Sequence, residues 1–315
     1  MTRLTYASLL NKTLEINASE GSLTAYKFIT KYADQVKGNK AQIFNFRYCL
    51  ASSSGLEQEA LSILREAIIE NGYWYSYDYI SQDDDLKNLH KYKEFQDMMQ
   101  ICKEREVTAQ RLTKPQLKVV QSEKNSEVET VIVALHGNQE NIDITEPRWK
   151  LPSQETILAL PQSSSIAFSD AYMWDNVEQG TKELKDHLTY LSENYNVRKE
   201  KVIVGGFSAG ARVALKAILN DEIECKGYIL MGPWLPEIEE WEVLLDRLKK
   251  KNSKGYIICG DKDQDCFEGT EKFVSLLEKK EIPYTYTIIE GLTHEYPENF
   301  NKHLSDAINY IYNTK

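Results

Sequence analysis

Five residues, Gly206-Phe207-Ser208-Ala209-Gly210, constrain this chain more than any others. They follow Lys201-Val202-Ile203-Val204, which reads as a strand, and precede Ala211 to Leu219, which reads as a helix. A Gly-x-Ser-x-Gly between strand and helix predicts a nucleophile elbow, a sharp turn that lifts the serine hydroxyl clear of the carboxyl end of a sheet. Glycine is needed two residues to either side, where a larger side chain would strike the strand or the helix. The helix start adds backbone N–H groups and a positive dipole end beside the hydroxyl. A plain Gly-Ser turn is the competing reading, and the flanking strand and helix favour the elbow.

An elbow of this kind calls for an acid and a histidine later in the chain, in that order. Gly255-Tyr256-Ile257-Ile258-Cys259 reads as a strand, and Gly260-Asp261-Lys262-Asp263-Gln264-Asp265 follows it. Tyr284 to Ile289 reads as the last strand, and Glu290-Gly291-Leu292-Thr293-His294 comes next. Serine, carboxylates and histidine thus all fall on loops after strands. Spacing alone leaves Asp261, Asp263 and Asp265 open as the acid. One oxyanion donor is expected from the backbone N–H of Ala209, and a second from the loop after Val131 to Leu135.

Leu135-His136-Gly137-Asn138, the Ser208 elbow, Gly260-x-x-Asp263 and Gly291-x-x-His294 together resemble the α/β-hydrolase superfamily. Within it, the chain from about Val128 onward is similar to small esterases of the phospholipase/carboxylesterase and dienelactone-hydrolase type. The resemblance implies Ser208 as nucleophile, His294 as general base, Asp263 as triad acid and the backbone N–H of Asn138 as second oxyanion donor. It implies hydrolysis of a small-molecule ester or thioester through an acyl-enzyme, with no cofactor. Asp261 and Asp265 then read as solvated or capping loop residues, and His136 as structural.

Composition narrows the alternatives. The net charge of −10 argues against nucleic acid or an anionic membrane surface as partner. The five cysteines, Cys49, Cys102, Cys225, Cys259 and Cys266, are scattered and contain no Cys-x-x-Cys, which argues against a disulfide framework or a zinc site. Gly205, Gly206 and Gly210 lack the spacing of a dinucleotide loop. No apolar run approaches the roughly 18 residues of a membrane span, and the N-terminus lacks the long apolar core of a signal peptide, so a cytoplasmic location is expected.

Strands and helices alternate after about Thr113, which predicts a mostly parallel central sheet flanked by helices over 113–315. Residues 1–112 read instead as an all-α region. Leu56 to Ile69 is its clearest amphipathic helix, ended by Asn71-Gly72. Shorter helical patterns cover Ala25–Tyr32, Gln42–Leu50 and Phe95–Lys103. Glu57 to Met99 resembles a degenerate tetratricopeptide-type helical pair, with a simple helical bundle as the alternative. A linker is expected over Thr108–Pro115, a polar turn over 121–127 and a helix over Glu239–Lys250.

The N-terminal helices are expected to bury their apolar faces against the hydrolase part, with Tyr73-Trp74-Tyr75 at a pocket entrance, or to serve a protein partner or a second copy. Trp174 and Trp234 suit pocket walls, with core packing equally open for each. Two other functions remain: a serine peptidase acting on short peptides, and a non-catalytic hydrolase-fold binding protein.

Overall fold

The computed structural model describes residues 4–121, 130–149, 156–195 and 197–312. The turn expected over 121–127 lies, after its first residue, outside the described residues, as do 128 and 129. Contacts divide the chain into two compact units, Met1–Thr113 with Ser165–Tyr172, and Lys114–Ser164 with Met173–Lys315.

The first unit is built on helices Tyr6–Glu20, Ser22–Tyr32, Lys40–Ser53, Glu57–Arg65, Tyr77–Gln82 and Lys93–Leu112. Thr5 and Ser8 cap the first reciprocally, and the Asn39 side chain caps the third. The helix expected over Leu56–Ile69 is α-helical only to Arg65. Glu66–Glu70 widens into a π turn, closed by the Asn71 N–H donating to Glu66 O at 2.9 Å. The wider turn still leaves Ala67 and Ile68 buried. A short helix and a 3-10 segment at Asp84–Leu89 follow. Within the stretch likened to a helical pair, Tyr77–Gln82 and Asp84–Leu89 thus stand between Glu57–Arg65 and Lys93–Leu112. The last helix runs to Leu112, which shortens the expected linker to Thr113–Pro115.

Trp74 and Tyr75 are buried in this unit's own core rather than presented at an entrance. The Tyr75 hydroxyl donates to Ala41 O at 2.8 Å, and its ring meets Tyr48 edge-on at 5.3 Å. The core also takes in Ile166 and Phe168, from far along the chain. Ser169 fastens that segment. Its Oγ accepts the Trp74 N–H at 2.8 Å, its N–H donates to Trp74 O at 3.1 Å, and the Asn39 side-chain amide donates to its carbonyl at 3.0 Å. Ser169→Ala leaves the buried Trp74 N–H without its acceptor, at a cost of about 1–3 kcal/mol. The expected result is a lower urea midpoint with unchanged slope; an unchanged midpoint would show that the bond contributes nothing.

The second unit carries seven strands in one sheet. They are β1 (Gln116–Gln121), β2 (Thr130–Leu135), β3 (Thr156–Gln162), β6 (Val202–Phe207), β7 (Gly227–Met231), β8 (Lys254–Gly260) and β9 (Tyr284–Ile289). β4 (Ser165–Phe168) and β5 (Ala171–Met173) pair only with each other. The sheet order is β1-β3-β2-β6-β7-β8-β9, with β1 antiparallel to β3 and every other pair parallel. β2 and β6 are buried throughout, as continuous apolar strands covered on both faces must be. Val131, Val133 and Leu135 face one core, with helices Val177–Tyr195 and Ala209–Leu219. Ile132 and Ala134 face the other, with helices Ile142–Trp149 and Phe300–Tyr312. The helix expected over Glu239–Lys250 is instead turns, a 3-10 segment and one short helix at Asp246–Lys250.

From β2 the chain moves outward to β3, and then returns past β2 to β6. Direction reverses between β2 and β6. In parallel sheets a crevice opens at such a switch point, beyond the carboxyl ends of the strands.

Candidate active site

Ser208 stands at the carboxyl end of β6, beside that crevice. Its backbone is held at φ 53°, ψ −120°, a left-handed conformation that costs a non-glycine residue roughly 1–3 kcal/mol. Neighbouring backbone fixes it: the Ser208 N–H donates to Met231 O at 3.0 Å, and Ser208 O accepts the Trp234 N–H at 3.3 Å. The flanking glycines are required by close approach. A Cβ at Gly210 would fall 2.3 Å from His136 O, and one at Gly206 would fall 2.7 Å from the Gly210 carbonyl carbon. The Ser208 side chain makes no capping hydrogen bond to the helix that starts at Ala209.

Asp263 and His294 come together from the loops after β8 and β9. His294 Nδ1 lies 2.7 Å from Asp263 Oδ2. The carboxylate side chain is 1% exposed and the imidazole 31%. The Cys266 N–H donates to Asp263 Oδ1 at 3.2 Å, leaving Oδ2 to the imidazole. With Nδ1–H donating to the carboxylate, Nε2 is left as the acceptor. The imidazole stacks on Phe207 at 4.6 Å. The Cys266 thiol, 3.6 Å from His294 Nδ1, is pushed well up by burial and stays protonated.

The other two carboxylates are placed differently. Asp261 Oδ1 accepts the Gly291 N–H at 2.6 Å, bracing the loop that carries His294. Asp265 is exposed. Asp263, Cys266 and His294 also bring three ligand-type atoms within 4.8 Å of one another, as do Cys49, Asp83 and Asp85 in the helical unit.

After β2, Gly137 is gripped from three sides. Its carbonyl lies 2.7 Å from His136 Nδ1 and accepts the Glu140 N–H at 3.2 Å, while its own N–H donates to Glu140 Oε2 at 2.9 Å. In a trans peptide C=O and N–H point opposite ways, so anchoring this carbonyl fixes the direction of the Asn138 N–H. The Asn138 side chain adds two bonds, accepting the Trp174 N–H at 2.7 Å and donating to Asp175 at 3.1 Å.

Trp174 is 1% exposed; its indole N–H donates to His136 O at 2.9 Å, and its ring stacks on His136. It supports the loop from beneath and is no open pocket wall. Trp234 is half-buried, with the Arg212 guanidinium 4.8 Å over its ring. Arg212 in turn makes a two-bond ion pair with Glu237. No sequence pattern announced Arg212, Glu237 or Glu140, whose partners lie on other loops or on backbone.

His136 is fully buried, and desolvation pushes it down to about 4 from an ordinary 6.5. The Ser163 N–H donates to its Nε2 at 3.3 Å, which requires the neutral ring with its proton on Nδ1. Between those two values the unfolded chain binds the proton and the native one does not. This residue's contribution to stability is therefore present above pH 6.5 and is lost as pH falls toward 4, about 3 kcal/mol in all. In urea unfolding at pH 7 and 4.5, His136→Asn should narrow the stability gap between the two pH values by about 2–3 kcal/mol. An unaltered gap would assign the acid sensitivity to other groups.

Residues 5–110 match the family described as A/B hydrolase-like, N-terminal domain, and residues 152–307 match the alpha/beta hydrolase domain. The chain belongs to the α/β-hydrolase superfamily. An uncharacterized protein from Bacillus cereus ATCC 10987 is 50% identical over 98% of this chain and 99% of its own, with a TM-score of 0.57. Esterase PE8 is similar over 61% of this chain and 97% of its own, at 18% identity and TM-score 0.53. Acyl-protein thioesterase 2 of Zea mays is similar over 62% and 99%, at 16% identity and TM-score 0.50. These last two likenesses are of fold. No curated protein gives a significant match to this chain. None of its described helices is long and apolar enough to cross a membrane.

Proposed function

We propose that this chain is a serine hydrolase that cleaves carboxylic esters or thioesters through an acyl-enzyme. The observation that carries the reading is the 2.7 Å bond between His294 Nδ1 and Asp263 Oδ2, made from loops at the same sheet end as left-handed Ser208. A serine hydroxyl is a weak nucleophile at neutral pH. His294 Nε2 takes its proton as Oγ attacks the substrate carbonyl, and Asp263 orients the ring and stabilises the imidazolium without being protonated itself. The oxyanion meets the backbone N–H groups of Ala209 and Asn138. His294 then protonates the departing alcohol or thiol, leaving an acyl group on Ser208. Water, deprotonated by His294, attacks that acyl group, and Ser208 recovers its proton as the acid leaves.

Hydrolysis is measured with p-nitrophenyl esters of two to eight carbons, matching acyl thioesters and aminoacyl amides, for the wild type and Ser208→Ala. Ester or thioester turnover that vanishes in the variant supports the proposal. Turnover of amides alone makes the protein a peptidase. The absence of both turnover and a Ser208 acyl adduct would leave a binding protein on a hydrolase fold.

A further inference from the structure

We propose that Glu140 is a second carboxylate serving His294, a positioning residue whose charge stabilises the imidazolium formed during acyl transfer while its backbone and side chain hold the oxyanion loop. The inference rests on the serine-hydrolase reading above.

Glu140 is half-buried in the loop after β2. One carboxylate oxygen, Oε2, takes the Gly137 N–H at 2.9 Å. Among the described residues the group enters no ion pair, although burying an unpaired charge is costly. Three groups face it from other elements. Arg148, on the helix Ile142–Trp149, lies with its guanidinium 5.7 Å over the Tyr296 ring and attracts the carboxylate from a distance. Tyr296 is buried with its hydroxyl accepting the Trp149 indole N–H at 2.9 Å, and its own proton loss is opposed by Glu140. His294 is the third, and it acts on the carboxylate through charge.

The Glu140 carboxylate and the ring that stacks on His294 both crowd Gly137. A Cβ on Gly137 would lie 2.8 Å from Phe207 Cδ1 and 3.1 Å from Glu140 Oε2, and the same Phe207 ring stacks on the imidazole at 4.6 Å. His294 Nδ1 also meets Asp263, at 2.7 Å, and the protonated Cys266 thiol, at 3.6 Å. Burial raises Glu140, and the Gly137 N–H, His294 and Arg148 pull it back down. A carboxylate so placed gains a second counter-charge, beside that of Arg148, when His294 carries the serine's proton. It therefore favours the transition state over the resting enzyme, as a rate-enhancing interaction must.

Glu140→Gln separates charge from scaffold, because the amide oxygen can still accept the Gly137 N–H. With a neutral p-nitrophenyl butyrate substrate, kcat should fall roughly 10-fold with KM nearly unchanged. The acid limb of kcat/KM should move about 0.5–1 pH unit lower, since the imidazolium loses a stabilising charge. Glu140→Asp, which keeps the charge, should return the limb toward its wild-type position. Fluorophosphonate labelling of Ser208 and the thermal midpoint serve as controls for an intact site. An acid limb that stays put in Glu140→Gln overturns the proposal. So does a loss confined to amine-bearing esters, which would make Glu140 a substrate-cation contact. If Ser208→Ala hydrolyses as well as wild type, the serine-hydrolase reading fails instead, whatever Glu140 does.

Discussion

Ser208→Ala is expected to lower ester hydrolysis by about 10⁶-fold, the scale lost when a serine nucleophile acting within a triad is removed. Labelling by a fluorophosphonate probe should vanish with it, and peptide mapping of the wild type should place the label on Ser208 alone. The fold should tolerate the change. Alanine meets the same left-handed φ of 53° at the same backbone cost, and the serine side chain contributes no cap to the following helix. The thermal midpoint should hold, so that lost activity reads as lost chemistry. Probe attached elsewhere, with Ser208 unmodified, would move the nucleophile.

Asp263→Asn should reduce kcat by about 10⁴, because an amide no longer selects the tautomer with Nε2 free or stabilises the imidazolium. The variant keeps an oxygen for the Cys266 N–H and so should fold. Two neighbours make the contrast. Asp261→Asn retains an acceptor for the Gly291 N–H, and Asp265→Asn alters only an exposed side chain, so both should stay within a few-fold of wild type. A mild Asp263 variant beside a dead Asp265 variant would shift the acid by two residues.

What could be read in advance was what local chain physics dictates. The strands at Val202–Phe207 and Lys254–Gly260 are buried on both faces, and such strands are continuous apolar runs whatever surrounds them. The glycines of the elbow answer close contacts with Leu135 and His136 on the adjoining strand end, a requirement that recurs wherever this turn is built. Other features depend on partners remote in sequence. Trp174 is open or closed according to His136, and Tyr73-Trp74-Tyr75 according to Ala41 and Tyr48. Glu140 carries no motif; its bond to the Gly137 N–H follows from how the loop after β2 turns back on itself. The hairpin β4–β5 was the least legible element. Ser165–Phe168 is only four residues long, and Ile166 and Phe168 pack with helices that lie more than fifty residues earlier.

That hairpin changes what a break in the chain would do. The polypeptide passes between the two units three times: after Thr113, after Ser164 and after Tyr172. A protease nick at Lys114 would cut one crossing and leave two. The helical fragment would stay, its covalent link replaced by Phe168 stacked on Tyr75 and Ser169 bonded to Trp74 and Asn39. The two pieces should co-elute under native conditions and part only in denaturant, and residues 1–113 made alone would lack a piece of their own core. Gene-fusion and split-protein designs must therefore treat residues 165–172 as belonging to the helices, although they are encoded within the hydrolase.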